Sequence, residues 1–191
     1  MKTEPSPERQ PAGLAMLKTI ALVAVVALAA LLIYAATRPG TLRVERSTRI
    51  QASPEKVHAL INDLHAFNTW NPYNQKDPAI QLVYGGPAAG PGASFTFDGN
   101  RNVGKGSIEI TGTRAPTEVQ MKLHMSSPME GHNDIRFSLV PEGAATQVTW
   151  AMQCEAPFVS KLVGIFIDMD NMIGKDFAAG LANLKTVAER A

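Results

Sequence analysis

Residues 42–64 read LRVERSTRIQASPEKVHALINDL, and their apolar period changes in the middle. Up to Ile50 the chain alternates. Leu42, Val44, Thr48 and Ile50 share one side, Arg43, Glu45, Ser47 and Arg49 the other, and Arg46 is the one misfit on the apolar side. That is a half-buried strand. Ser53-Pro54-Glu55 then supplies a hydroxyl cap, a proline for the first helical position and an acid for the positive end of the helix dipole. Val57, Leu60, Ile61 and Leu64 follow at helical spacing. A second short turn runs from His65 to Trp70, and Asn71-Pro72-Tyr73 is expected to end it.

Beyond this point the period is two. Strands are expected at Ile80–Tyr84, Ser94–Asp98, Lys105–Thr113, Glu118–Ser126, Asn133–Val140 and Gln147–Glu155. Turn residues separate them: Gly85-Gly86-Pro87, Asp98-Gly99-Asn100, Ala115-Pro116 and Pro141-Glu142-Gly143. The connections are short, which favours an antiparallel meander. One face of each strand is apolar: Phe95 and Phe97; Ile108 and Ile110; Val119, Met121, Leu123 and Met125; Ile135, Phe137 and Leu139; Val148, Trp150 and Met152. The opposite face carries Thr96, Glu109, Lys122, His124, Arg136 and Gln153. The end of the chain is helical. Pro157 opens a short helix, and a longer one carries Met169, Met172, Ile173, Phe177, Leu181, Leu184 and Val187 on one face. Asp168 and Asp170 belong at its start, where the dipole favours acids.

Upstream of the strand, residues 1–13 are polar and contain Pro5, Pro7 and Pro11, a composition expected for a disordered tail. Residues 14–36 are rich in Ala, Leu, Val and Ile, with no charge from Thr19 to Ala36. As a helix they would measure about 34 Å, enough to cross a hydrocarbon core of about 30 Å. Lys18 can reach headgroups at one end, and Tyr34 lies at interfacial depth near the other. A cleaved signal has an apolar stretch of about 7–15 residues. This run is longer, and its best small-x-small site, Ala27-Leu28-Ala29, lies inside it. The expectation is a retained single-pass membrane anchor, a linker over 37–41 and one folded domain over 42–191. Lys2, Arg9 and Lys18 precede the span, and Arg38, Arg43, Arg46 and Arg49 follow it, so charge selects no orientation.

Of 18 Lys/Arg and 17 Asp/Glu in 191 residues, four and two precede Thr41. The folded part is therefore almost neutral, which excludes electrostatic binding of nucleic acid. A hydrophobic fraction of 45% excludes wholesale disorder. The single cysteine, Cys154, excludes an intrachain disulfide, a cysteine-rich zinc site and a CxxC pair.

The order strand, helix pair, six strands, long helix resembles the START-like, Bet v 1-like superfamily. The residues that carry the resemblance are Val44-Glu45-Arg46-Ser47, Ile50-Gln51-Ala52-Ser53-Pro54-Glu55-Lys56-Val57, Ile61-Asn62-Asp63, Phe67, Trp70-Asn71-Pro72, and the tail Phe177, Gly180-Leu181, Leu184-Lys185. Thr41–Ala191 is most similar to the polyketide cyclase/dehydrase-like branch of the SRPBCC proteins. The resemblance implies an α+β helix-grip fold, an antiparallel sheet of about seven strands curved around the C-terminal helix. It also implies a deep apolar cavity that holds hydrophobic small molecules or lipids. It implies no reaction, because a fold does not fix one.

The chemical motifs are weak beside this. Residues 99–105 match GxxxxGK, but Gly106 stands where a magnesium-binding hydroxyl belongs, and a strand follows instead of a helix. A hairpin turn is expected there. Asp168-Met-Asp170 begins like a calcium loop but has Ala179 where a bidentate Glu is needed. His58, His65, His124 and His132 lack metal-site spacing and are expected to be solvated or capping. Cys154 shares the parity of Trp150 and Met152 and reads as a buried structural thiol. No catalytic residue, metal or cofactor is assigned.

Eight methionines are many for this length, and methionine adapts to varied apolar surfaces. The expected ligand-binding side chains are Trp70, Phe97, Met121, Phe137, Trp150, Met152, Met172 and Phe177, with Arg46 and Asn133 as the polar candidates. Gly85 to Gly92, with four glycines and two prolines, is the expected mobile rim. The function expected is a membrane-tethered binding module whose partners are the membrane and a hydrophobic small molecule or lipid. A cyclase- or hydrolase-type enzyme in the same cavity and a ligand-free interaction domain are the alternatives. Deleting Met1–Gly40 should leave a domain that unfolds cooperatively on heating, followed by circular dichroism. An unfolded product would place the apolar run inside the core.

Overall fold

The structure is a computed structural model and describes residues 12–190. The disordered tail expected over 1–13 lies, as far as residue 11, outside the described residues. Helix α1 (Ala12–Thr37) contains a stretch, Met16–Thr37, long and apolar enough to cross a membrane and almost wholly exposed. Pro39 and Gly40 break it, and strand β1 (Thr41–Ile50) begins at once.

Helix α2 (Pro54–Asn62) starts as its cap chemistry requires: the Ser53 hydroxyl accepts the Lys56 N–H at 3.3 Å, and Pro54 has no N–H to satisfy. Asp63 ends α2 and caps α3 (Leu64–Trp70), accepting the N–H groups of His65 and Ala66 at 2.8 and 3.1 Å. Asn71-Pro72-Tyr73 ends α3 as expected. It also repeats the cap-plus-proline device, because Asn71 Oδ1 accepts the Tyr73 N–H at 3.3 Å and opens a further helix, α4 (Pro72–Lys76).

Six strands follow: β2 (Gln81–Gly85), β3 (Ser94–Asp98), β4 (Lys105–Arg114), β5 (Glu118–Ser127), β6 (Gly131–Glu142) and β7 (Ala145–Glu155). All pair antiparallel in the order β1-β7-β6-β5-β4-β3-β2. The last strand lies beside the first, with Thr41 opposite Glu155 and Ile50 opposite Thr146. The β4–β5 register shifts at Lys105/Gly106 and again at Ile110/Gly112. Such bulges raise local twist and bend a sheet. Residues 99–104 form the β3–β4 hairpin, closed by Gly99 N–H to Gly104 carbonyl at 2.9 Å, with Gly104 at φ +81°.

After α5 (Phe158–Val163), the long helix α6 (Met169–Ala188) lies on the concave face. Asp168 caps it by accepting the Asn171 N–H at 2.9 Å. Phe177, Leu181 and Leu184 are buried against the sheet. Burial of each such side chain contributes roughly 1.5–3 kcal/mol. Two glycines set how closely α6 approaches. A Cβ on Gly180 would stand 2.7 Å from Trp150 Cζ3 and 2.9 Å from Pro72 Cδ. A Cβ on Gly174 would collide with the Arg46 guanidinium. Around Gly180 the core is a solid aromatic cluster. Trp150 stacks on Phe177 at 4.2 Å, and Trp70 meets Phe67, Phe137 and Trp150 edge-to-face at 4.6, 6.0 and 5.9 Å. The Trp70 indole donates to the Leu60 carbonyl at 2.9 Å, so its polar atom is satisfied.

Alanine normally stabilises an exposed helix relative to glycine by about 1 kcal/mol. Gly180→Ala should do the reverse, lowering stability by about 1–3 kcal/mol through overpacking against Trp150 and Pro72. Leu181→Asp should abolish folding, while Ala178→Asp on the exposed side should be mild. Urea denaturation of the three variants checks the helix face, and equal effects of the two aspartates would show it misassigned.

Candidate functional site

A cavity of about 230 Å³ lies between the concave face of the sheet, α4 and the N-terminal half of α6. A single water needs only about 10–15 Å³ of such space, so the void is far larger than a packing defect. Strand β3 supplies Phe95 and Phe97, β4 Ile108, β5 Leu123 and Met125, β6 Asn133 and Ile135, and β7 Met152. Ile173 and Phe177 come from α6, and Phe67 from α3. The rim is closed by Asn71, Tyr73, Asn74, Ile80 and, from the β3–β4 hairpin, Val103.

The eight side chains expected to line a cavity divide three ways. Phe97, Met152 and Phe177 do line it. Trp70, Met121, Phe137 and Trp150 are 0–2% exposed and fill the solid part of the core instead. Met121, Phe137 and Trp150 have the right strand parity and Trp70 comes from α3, but Gly180 brings α6 against Trp150 and Pro72, and that part of the core is packed solid. Met172 is 52% exposed and lies outside the cavity, one position before the lining residue Ile173. Of the two polar candidates, Asn133 lines the cavity and Arg46 does not. The Arg46 guanidinium crosses Gly174 to pair with Asp170, at 2.9 and 3.2 Å to the carboxylate and 3.0 Å to its carbonyl. That hydrogen bond holds the Asp170 carboxyl below its ordinary value.

The Gly85–Gly92 segment is not the rim. It is tied down by a bridge of Ala89 to Asp63, by Gly90 N–H to Asn62 carbonyl at 3.0 Å and by Gly92 N–H to Ile110 carbonyl at 2.8 Å. It borders a second, smaller pocket with Leu64, His65 and Tyr84. The rim residues Tyr73, Asn74, Ile80 and Val103 lie in short aperiodic segments, so no apolar period marked them.

The cavity's polar groups are few. Asn71 uses its oxygen to cap α4 and its amide to reach Asn68 at 3.1 Å, and Asn74 donates to the Asn68 carbonyl at 2.7 Å. Asn133 makes one long bond, 3.5 Å, to the Leu123 carbonyl. Burial first, and then the neighbouring Asp176 carboxylate, raise the Tyr73 phenol far above its ordinary value, so it stays a neutral hydroxyl. Asp176 is itself paired with Lys76 at 2.7 Å. Among the described lining residues Tyr73 is the one titratable side chain. Cys154 is half-buried outside the lining, and burial raises its thiol.

The histidines are more organised than their spacing suggested. His65 stacks on Tyr84 at 3.8 Å. His124 and His132 face each other across β5 and β6, rings stacked at 4.5 Å, and with Glu130 their donor atoms fall within 4.8 Å of one another. These three donors could hold a metal ion on the face of the sheet away from the cavity. The signal was positional: the two histidines are symmetric about Pro128, where the hairpin turns.

This curved sheet gripping a C-terminal helix around an apolar cavity is the START-like, Bet v 1-like helix-grip fold. The family profile described as "Polyketide cyclase / dehydrase and lipid transport" matches residues 41–189, and the chain belongs to that family within the SRPBCC superfamily. Solved structures agree on the fold. Protein CV1439 from Chromobacterium violaceum is 16% identical at TM-score 0.56, covering 81% of this chain and all of its own. The Aha1 dimer from Colwellia psychrerythraea is 19% identical at TM-score 0.55, covering 78% of this chain and 96% of that one. Major latex-like protein 151 from Panax ginseng is 12% identical at TM-score 0.56, covering 80% and 100%. No curated protein matches the chain.

His58 ties the site's scaffold to pH. It is 7% exposed, its Nε2 lies 2.9 Å from Thr113 Oγ1, and burial lowers its pKa. The unfolded chain, titrating near 6.5, therefore binds the proton more readily. Stability should be intact above about pH 6.5 and fall as pH drops below it. Asp170 and Glu189, whose folded pKa values are lowered, act in the lower carboxylate window. Thermal unfolding of His58→Gln should lose the slope below about pH 6.5, and a slope equal to that of the wild type would assign it elsewhere.

Proposed function

We propose that the domain is a binding module for a hydrophobic small molecule or lipid, held in this cavity and tethered to a membrane by α1. The observation that carries the reading is the lining: twelve of its sixteen side chains are hydrocarbon or thioether. Such a surface favours an apolar body over water, while Tyr73 and Asn133 can orient one polar group. Met125 and Met152 suit ligands of varied shape. The family description, which includes lipid transport, supports the same ligand class.

A cyclase or dehydratase needs an acid and a base converging on one substrate atom. The lining residues supply one phenol, and its carboxylate neighbour Asp176 lies outside the lining and is paired with Lys76, which favours carriage over chemistry. The open volume likewise favours a ligand over a purely interacting domain. For the tether, the support is the length of α1, 26 residues, against the shorter apolar run of a cleaved signal.

The domain lacking Met1–Gly40 should bind a fluorescent fatty acid saturably at one site. Met152→Trp, which fills the cavity from β7, should weaken binding at least tenfold without loss of fold. Failure of the wild-type domain to bind any of several apolar probes would sink the reading and leave the interaction-domain alternative.

A further inference from the structure

We propose that the exposed apolar face of Phe158–Ile167 docks on the surface of the bilayer that α1 spans, so that the ligand cavity stands at the membrane end of the domain. The inference rests on the tether reading above and adds which part of the domain meets lipid.

The first observation is clustering. Outside α1, large apolar side chains exposed among the described residues include Val83, Met129 and Val140, each separated from the others in the chain. The others fall together: Phe158, Val159, Val163, Phe166, Ile167 and Met172 are 42–74% exposed within fifteen residues. Scattered exposed hydrophobics need no explanation, but a contiguous patch marks a binding surface. Charge agrees. From Ala156 to Ile167 there is no carboxylate, and Lys161 is the one charged residue. A short amphipathic segment of that composition suits the headgroup boundary, not free water.

The second observation is position. The patch adjoins the very end of α1. Arg38, the first residue after the helix, donates to the Gly164 carbonyl at 3.4 Å, and its guanidinium lies 5.4 Å over the Tyr34 ring. Ala35 is fully buried, and α1 and α5 pack on each other. Tyr34 and Arg38 are the residue types that sit at the interface of a span. The apolar face of α5 therefore continues the apolar surface of α1 at the depth where lipid headgroups begin.

The third is topology. Strand β1 starts, β7 ends, β5 ends and β6 starts at this same end of the sheet, as Thr41 opposite Glu155, Asn133 opposite Cys154 and Met125 opposite Gly131 show. The lining residues Met125, Asn133, Met152 and Ile173 belong to that end. The second exposed methionine there, Met129, is at the tip of the β5–β6 hairpin. An apolar ligand leaving the bilayer would have a short path to the cavity.

The test uses the full chain in phosphatidylcholine vesicles whose acyl chains carry bromine, a contact quencher of tryptophan. Trp70 and Trp150 are 0 and 2% exposed and form a constant background. Single reporters are added as Phe166→Trp, Val159→Trp, Val83→Trp on the opposite edge strand and Leu28→Trp within α1. The proposal expects Leu28→Trp to be quenched strongly and Phe166→Trp and Val159→Trp at least threefold more than Val83→Trp. Quenching at 28 with 166 and 159 no higher than 83 overturns the docking surface and leaves the tether, and it is also the result if a second copy covers the patch. No quenching at position 28 overturns the tether and the docking proposal with it.

Discussion

The stack of Trp150 on Phe177 is the contact around which the rest is arranged, because it fixes where α6 touches the sheet. A straight helix cannot follow a strongly curved sheet along its whole length. One end must approach and the other must stand off. Gly180 lets α6 come within van der Waals contact of Trp150 and Pro72, and Trp70, Phe67 and Phe137 fill the space around that point. Toward its N-terminus the helix leaves the concave face, and Phe177 is the boundary residue, stacked on one side and lining the cavity on the other. The cavity is thus the geometric remainder of a well-packed contact.

The stand-off end is held by polar means. Arg46 projects from β1 with the parity of the buried residues, passes over Gly174 and pairs with Asp170 in the first turn of α6. The pair is half-exposed, so its Coulomb energy is modest. Its role is positional: it spans a gap that no apolar side chain fills. Lys76 with Asp176 does the same between α4 and α6. Ion pairs bridge the open end, aromatic stacking fills the closed end, and the cavity lies between them.

The two ends of the domain also differ in what they show to the surroundings. The apolar patch of α5, the end of α1 and the cavity-lining ends of β5, β6 and β7 lie together, while Ser53-Pro54 and the Gly143 hairpin lie at the other end. The proposed function would use all three together: α1 as the anchor, the α5 patch as the surface facing lipid and the cavity near both.

Much of this was legible in the residue pattern because it depends on local rules. The switch from alternation to helical spacing at Ser53-Pro54, the strand parities, the hairpin at 99–104 and the capped C-terminal helix follow from period, capping and turn chemistry, which are properties of neighbours in the chain. The parities placed Phe97 and Met152 on the inward face, and helical spacing placed Phe177 toward it. Parity says which face a side chain points to, but not how far away the opposing helix lies. Met121, Phe137 and Trp150 share that face and Trp70 meets it from α3, yet all four are packed solid, where Gly180 lets α6 close on Trp150. Arg46 looked like a polar group for a ligand until its partner 124 positions away was in place. The closing of the rim by Val103 beside Tyr73, Asn74 and Ile80, and the meeting of α5 with the end of α1, likewise join separate segments of the chain, while the pairing of His124 with His132 depends on the register of one hairpin. Sequence alone determined most of the elements and, along the strands, the side each residue faces, but it missed α4 and misplaced Met172. Where the elements press together and where they leave space was decided by tertiary packing, since a gap between a helix and a curved sheet is a property of neither one alone.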